Sequence, residues 1–137
     1  MELTAQQIER YRGISVPQLI KSAEKHFNAY IRQRDREGDY FTCISCYLPK
    51  RVDQMNAGHY LSAGHNAAVR FSEDNVNGQC IHCNLYLHGN QANYRIGLVR
   101  KIGQHRVEIL ESTARMRHKW DRYGLIYVIE TYKQKTK

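Results

Sequence analysis

Two cysteine pairs constrain this chain more than any other feature in it. Cys43-Ile44-Ser45-Cys46 and Cys80-Ile81-His82-Cys83 make a C-x2-C-x33-C-x2-C frame. A C-x2-C step sets two thiolates around one tight turn, as two corners of a tetrahedral zinc site require, and a second pair supplies the other corners. With sulfur at every corner the metal is structural, because no position is left open for water or substrate. The 33 residues between the pairs exceed the usual finger spacing, so a further structural unit is inserted between the two knuckles. Other states of four thiols compete with zinc. Two disulfides need an oxidising compartment, and no secretory segment is present: the longest charge-free apolar run is about five residues, Leu125 to Ile129. A thioredoxin-like redox site needs one pair on a βαβ background, which the pattern lacks. Four buried, reduced cysteines are the plainest alternative.

The rest of the chain is organised around that frame. At 137 residues it is close to one domain's worth, with enough length for a modest core. No run is long enough to span a membrane, and the preferred reading involves no membrane partner. The net charge of +8 is unevenly placed. Residues 1–42 carry seven basic and six acidic side chains, 43–99 four and three, and 100–137 ten and four. The basic excess is thus C-terminal, whereas the nearly neutral middle holds all four cysteines and His59, His65, His82 and His88. Such an excess fits a nucleic-acid partner, an anionic membrane surface, or solubility alone.

Residues 17–36 read as an amphipathic helix, capped near Ser15 or Val16, with Pro17 in its first turn and a 3.6-residue stripe through Leu19, Ile20, Ala23, Phe27, Tyr30, Ile31 and Arg34. Tyr40-Phe41-Thr42 has strand composition. Short strands are expected at 58–61 and 69–72. Helical periodicity resumes from Cys83, breaks at Gly89-Asn90, and returns at 93–102, ending on Gly103. Further helices are expected near 107–116 and 120–133, with a frayed end at 133–137. We expect a single domain, 1–137: an N-terminal helical segment (1–40), a zinc-braced core (41–90) and basic C-terminal helices (91–137).

The inserted segment reads Ala57-Gly58-His59-Tyr60, then Arg70-Phe71 and Asp74-Asn75-Val76-Asn77-Gly78-Gln79, leading into the second knuckle and Asn84. A strand histidine, an asparagine in the loop before a C-x2-C, and a further Asn or His opening the next helix resemble the HNH endonucleases. The wider string, with Gly89-Asn90, Tyr94-Arg95 and Lys101-Ile102-Gly103, resembles the NinG/Rap family of phage recombination endonucleases. That resemblance runs from about Tyr30 to about Leu110, and more weakly to the C-terminus. It implies an α+β fold, a small zinc-braced HNH (ββα-metal, treble-clef-like) core flanked by N- and C-terminal helices. It also implies cleavage of branched DNA, such as Holliday junctions and D-loops, inside the bacterial host's cytoplasm.

The resemblance assigns roles residue by residue. His59 matches the general base, which must be neutral to take a proton from water. Asn75 matches the asparagine that orients it by hydrogen bonding across the hairpin, although Asp-Asn-Val-Asn-Gly is also plain turn composition. Asn84 matches a ligand of a catalytic Mg²⁺ or Mn²⁺. His88, four residues on, shares its helix face if the helix persists. One departure stands out: many HNH enzymes have Asp or His before the base, and here there is Gly58. Either the cation has fewer protein ligands, or Asp53, His65 or Asn90 reaches in. Arg70, Arg95, Arg100, Lys101, Arg115, Arg117 and Lys119 are candidates for tracking a DNA backbone, while Arg70 also suits bracing the zinc module. Two cuts across a junction imply a homodimer, but no dimer seam is legible. Other recombination proteins are implied partners. A zinc-dependent DNA-binding module without catalysis, and an HNH nuclease on ordinary duplex, stay open as alternatives.

Overall fold

A computed structural model describes all residues, 1–137. The chain begins with a short helix, α1 (Ala5–Glu9), and the long α2 (Val16–Asp35). Both start on reciprocal caps, Thr4 with Gln7 and Ser15 with Gln18, each side chain accepting the other's backbone N–H. The expected helix at 17–36 is therefore present to within a residue, whereas nothing in the hydropathy pattern announces α1. Next come β1 (Arg36–Glu37), β2 (Tyr40–Thr42) and β3 (Pro49–Arg51), a small antiparallel sheet. A separate two-stranded ribbon follows, β4 (Met55–His59) against β5 (Val76–Cys80), in the register Met55↔Cys80 to His59↔Val76. Three helices close the chain: α3 (Gln91–Ile102), α4 (Gln104–Ala114) and α5 (Arg122–Lys135). The architecture is thus mixed α+β.

The ribbon lies between helices. Leu19, Ala23, Phe27 and Ile31 of α2 pack with Leu125, Ile126 and Ile129 of α5, and Val76 and Ala57 of the ribbon join that core. On the ribbon's other face, the buried Tyr94 of α3 donates its hydroxyl to the Gly58 carbonyl at 2.7 Å and accepts from the Asn77 amide at 3.2 Å. Gly97 permits this approach of α3, since a Cβ there would stand 1.8 Å from the Ile44 carbonyl oxygen. No helix is long and apolar enough to cross a membrane.

Several expected elements are displaced. The strand expected at 58–61 runs 55–59, and the segment 69–72 is no strand. Ala67–Val69 is a single 3-10 turn whose Val69 enters a core with Tyr94 and Leu98, while Phe71 packs edge-on to Phe27 and Trp120. Strand-like composition there serves packing. The true partner strand, β5, is Val-Asn-Gly-Gln-Cys, polar in sequence and buried throughout. The helix expected from Cys83 is one wide π-type turn at His82–Tyr86, followed by positive φ at His88, Gly89 and Asn90. The C-terminal end is not frayed up to Lys135, whose ammonium bonds Glu73 at 2.9 Å and lies over the Tyr30 and Tyr132 rings.

Candidate functional site: a cysteine centre and a cleft

The two knuckles meet at the Met55–Cys80 end of the ribbon. The sulfurs of Cys43, Cys46, Cys80 and Cys83 all lie within 4.8 Å of one another, and those of Cys46 and Cys80 are 4.0 Å apart. A tetrahedral zinc with bonds of about 2.3 Å sets its sulfurs roughly 3.8 Å apart, so the cluster fits one ion with little adjustment. Backbone N–H groups point at the sulfurs, Cys80 N–H to Cys43 Sγ at 3.3 Å and Cys83 N–H to Cys80 Sγ at 3.4 Å, and the Asn90 amide donates to Cys83 Sγ at 3.4 Å. Burial pushes the Cys83 thiol up to about 12. At Cys43 burial also acts upward, but the N–H groups of Cys80, Cys46 and Ser45 outweigh it and the pKa falls below normal. Four thiolates this close need a cation among them. The cysteines are placed to bind a metal ion, compatible with structural zinc.

His59 stands at the opposite end of the ribbon, as the last residue of β4. Its Nε2 is 3.0 Å from the Arg70 carbonyl. A carbonyl only accepts, so that contact assigns the proton to Nε2 and leaves the Nδ1 lone pair available. Burial, with the Arg70 charge adding to it, holds the imidazole below its ordinary pKa against the Arg70 carbonyl and Glu24, so it is neutral at pH 7. Arg70 is itself paired with Glu24 of α2.

The loop after His59 is closed by Asn75, which is fully buried. Its Oδ1 accepts from the Leu61 N–H at 2.9 Å, and its Nδ2 donates to the carbonyls of Leu61 at 2.9 Å and Val69 at 3.2 Å. The Asn75 carbonyl accepts from the Tyr60 N–H at 2.8 Å. One amide thus ties both arms of the loop together beside His59.

His59 borders a cleft of about 300 Å³ with Gly58, Ser62, Asn84, His88 and Gln91. Three residues singled out from the sequence therefore converge, but not as a helix face. His88 follows the wide turn with φ of 50°, so it reaches the cleft through a loop. The residues proposed to replace a ligand at position 58 are directed elsewhere. Asp53 borders a different hollow beside α2, His65 faces the turn after α4, and the Asn90 amide serves Cys83. Position 58 itself has no room, because a Cβ there would meet Gln79 Oε1 at 2.1 Å.

Residues 2–137 match the family model described as Bacteriophage Lambda NinG protein. The chain belongs to the NinG family. Among curated relatives, proteins named Protein ninG from Escherichia phages lambda and 933W are each 38% identical over 118 residues, and that of Salmonella phage P22 is 37% identical over the same length. These matches cover 86% of this chain and 55 or 56% of the relatives, so it spans about half the length of the curated relatives it matches. No solved structure matches it.

In this NinG chain the candidate basic residues divide into two sets. Arg95 makes a two-pronged bond to Glu111 at 2.9 and 3.0 Å, joining α3 to α4, and Tyr60 donates to the same carboxylate at 2.6 Å. Lys101 bonds Asp35 at 3.0 Å and Asn77 at 2.7 Å. Arg70 is held by Glu24, and Arg100 stacks 3.8 Å from the Tyr47 ring centre. The three ion-paired side chains brace the fold, while Arg100 rests on a half-exposed ring. Arg115, Arg117 and Lys119, by contrast, line an open hollow on the turn after α4, together with His65 and His118. Sequence reasoning met Gln79 only as part of the family-like string and gave it no role. Its signal there was its place next to Cys80; in the ribbon it pairs with Asn56 and its side chain runs diagonally to Gly58.

Proposed function

We propose that this chain is a metal-dependent DNA endonuclease of the HNH kind that acts on branched recombination intermediates, Holliday junctions or D-loops. The observation that carries this reading is the state of His59: a neutral imidazole with Nε2–H given to Arg70 and Nδ1 left free, on a cleft it shares with Asn84 and His88. A general base needs that combination of fixed ring, free lone pair and unprotonated state at the working pH. Nδ1 takes the proton from the attacking water, while the Arg70 carbonyl keeps the ring from rotating and stabilises the imidazolium that forms. Asn75 holds the loop behind the base. Asn84 and His88 offer an amide oxygen, a donor suited to Mg²⁺ or Mn²⁺, and an imidazole, which favours Mn²⁺ of the two; water and phosphate would complete the shell. An ion held by these two residues would supply positive charge to the scissile phosphate and the leaving 3′ oxygen. Arg115, Arg117 and Lys119 supply the phosphate contacts, and paired cuts across a junction call for two copies of the chain.

The test is to incubate purified protein with Mg²⁺ or Mn²⁺ and either a four-way junction or linear duplex of the same sequence. Junction cleavage with the linear duplex spared is expected. Equal cleavage of both would make the chain an ordinary duplex nuclease. Binding of either DNA without any cut would make it a zinc-dependent binding module and overturn the reading.

A further inference from the structure

Gln79 neither belongs to the cysteine cluster nor bonds His59, yet its side chain reaches towards both centres. It is fully buried on β5, next to Cys80. Its Nε2 donates to Ser45 Oγ at 2.9 Å, inside the first knuckle, and to the Gly89 carbonyl at 2.6 Å. Its Oε1 is buried without a hydrogen-bond partner and occupies the place where a side chain of Gly58 would begin. One amide therefore touches the first knuckle, the backbone leading into His59, and the turn that carries His88.

That turn needs holding. His88, Gly89 and Asn90 have φ of 50°, 91° and 45°, and the left-handed region is costly for the two residues that carry a Cβ. From outside, the turn is fastened by the carbonyls of Cys83 and Asn84, which accept from the Gly89 N–H at 2.9 and 3.1 Å, by the Cys83 sulfur and the Asn93 amide on the Asn90 side chain, and by Gln79, which alone among side chains holds the Gly89 carbonyl. A glutamine serving only to fill space would not leave a buried carbonyl oxygen unpaired, since an apolar side chain of equal length packs without that penalty.

We propose that Gln79 is a positioning residue that carries the rigidity of the cysteine centre into the cleft. It sets the His88 turn through Gly89 and fixes the strand before His59 by abutting Gly58. The glycine before the histidine is then a consequence of the glutamine: the space that an acidic or histidine ligand would take is filled by the strut. The kinetic part of this proposal rests on the endonuclease reading.

Gln79→Met keeps length and approximate volume but removes both donated bonds, and Ser45→Ala removes one bond while leaving Gln79 in place. Four quantities are compared with the unaltered chain: zinc per chain, amide hydrogen exchange at 88–90, Mn²⁺ binding by electron paramagnetic resonance, and junction cleavage. In Gln79→Met we expect full zinc content and faster exchange at 88–90. Mn²⁺ affinity and cleavage rate should each fall about tenfold or more, as when a residue supporting a metal ligand is lost, with KM for DNA little changed. Ser45→Ala should move the same quantities less, and it carries the test if Gln79→Met does not fold. Unchanged exchange and Mn²⁺ binding would overturn the proposal, as would loss of zinc together with every other property. If the unaltered chain cuts no DNA, the endonuclease reading fails, while exchange at 88–90 still decides the role of Gln79.

Discussion

The two ends of the β4–β5 ribbon are finished in opposite ways. At the Met55–Cys80 end, four sulfurs face one another and take N–H groups from Cys80, Cys83 and Asn90, so the donors turn inward. At the His59–Val76 end, His59, Asn84 and His88 border a cleft open to solvent. The register joins them directly, for the same five residue pairs run from one to the other. A closed end gives the ribbon a fixed frame, and an open end can then present side chains to a substrate without the backbone having to move. Removing the cysteine sulfurs and removing the cleft's own side chains should therefore separate stability from chemistry.

Removing metal from the cysteine end should have the largest effect. Structural zinc contributes roughly 10 kcal/mol or more in small domains, comparable with a domain's whole stability. A strong chelator, or Cys80→Ser, should abolish the cooperative unfolding transition followed by circular dichroism. A transition that survives without metal would break the contrast between the ends. Asn75→Ala comes next: it strands the Leu61 N–H and the carbonyls of Leu61 and Val69, at a cost of about 3 kcal/mol in urea denaturation. Zinc content should hold while the cleft end loosens.

The basic side chains sharpen the comparison differently. Replacing Arg115, Arg117 and Lys119 together by Ala should reduce the slope of log affinity for DNA against log salt by roughly 2–3, with the melting temperature unchanged. Lys101→Ala, which breaks contacts to Asp35 and Asn77, should do the reverse and lower stability with the slope intact. The smallest effect is the pH dependence from His59. Its folded pKa lies below the unfolded value of about 6.5, so the unfolded chain binds the proton first as pH falls. The stability His59 confers is complete above about 6.5 and is lost as pH drops through the lower folded value. His26 is shifted the same way by burial and by Lys133 and Lys25, so the measurement is the difference between the unaltered chain and His59→Gln.

How much of this was legible in the sequence follows from what each signal measures. The cysteine frame, the capped α2 and the stop at Gly103 were readable because ligand spacing, caps and apolar stripes are local. The ribbon was misplaced because β5 is buried by bonding and not by hydropathy. Asn75, Asn77 and Gln79 look like turn residues, yet each finds partners on distant segments. Val69 and Phe71 look like a strand but pack on Tyr94 and on Phe27 and Trp120. Charge counting placed the basic excess in residues 100–137, but it had no means of telling Lys101, held by Asp35, from the unbraced turn at 115–119. Convergence of His59, Asn84 and His88 was expected through a helix and is achieved through a left-handed turn, which spacing rules do not foresee.

The most direct test of the central claim is the single-turnover rate of junction cleavage by His59→Ala, with Mn²⁺ and at zinc content matched to the unaltered chain. The account predicts a rate lower by about 10²–10⁴, with stability reduced only by the lost bond to the Arg70 carbonyl, about 1–3 kcal/mol, and the frame otherwise intact. A variant that holds its zinc, folds, and still cuts at the unaltered rate would contradict it.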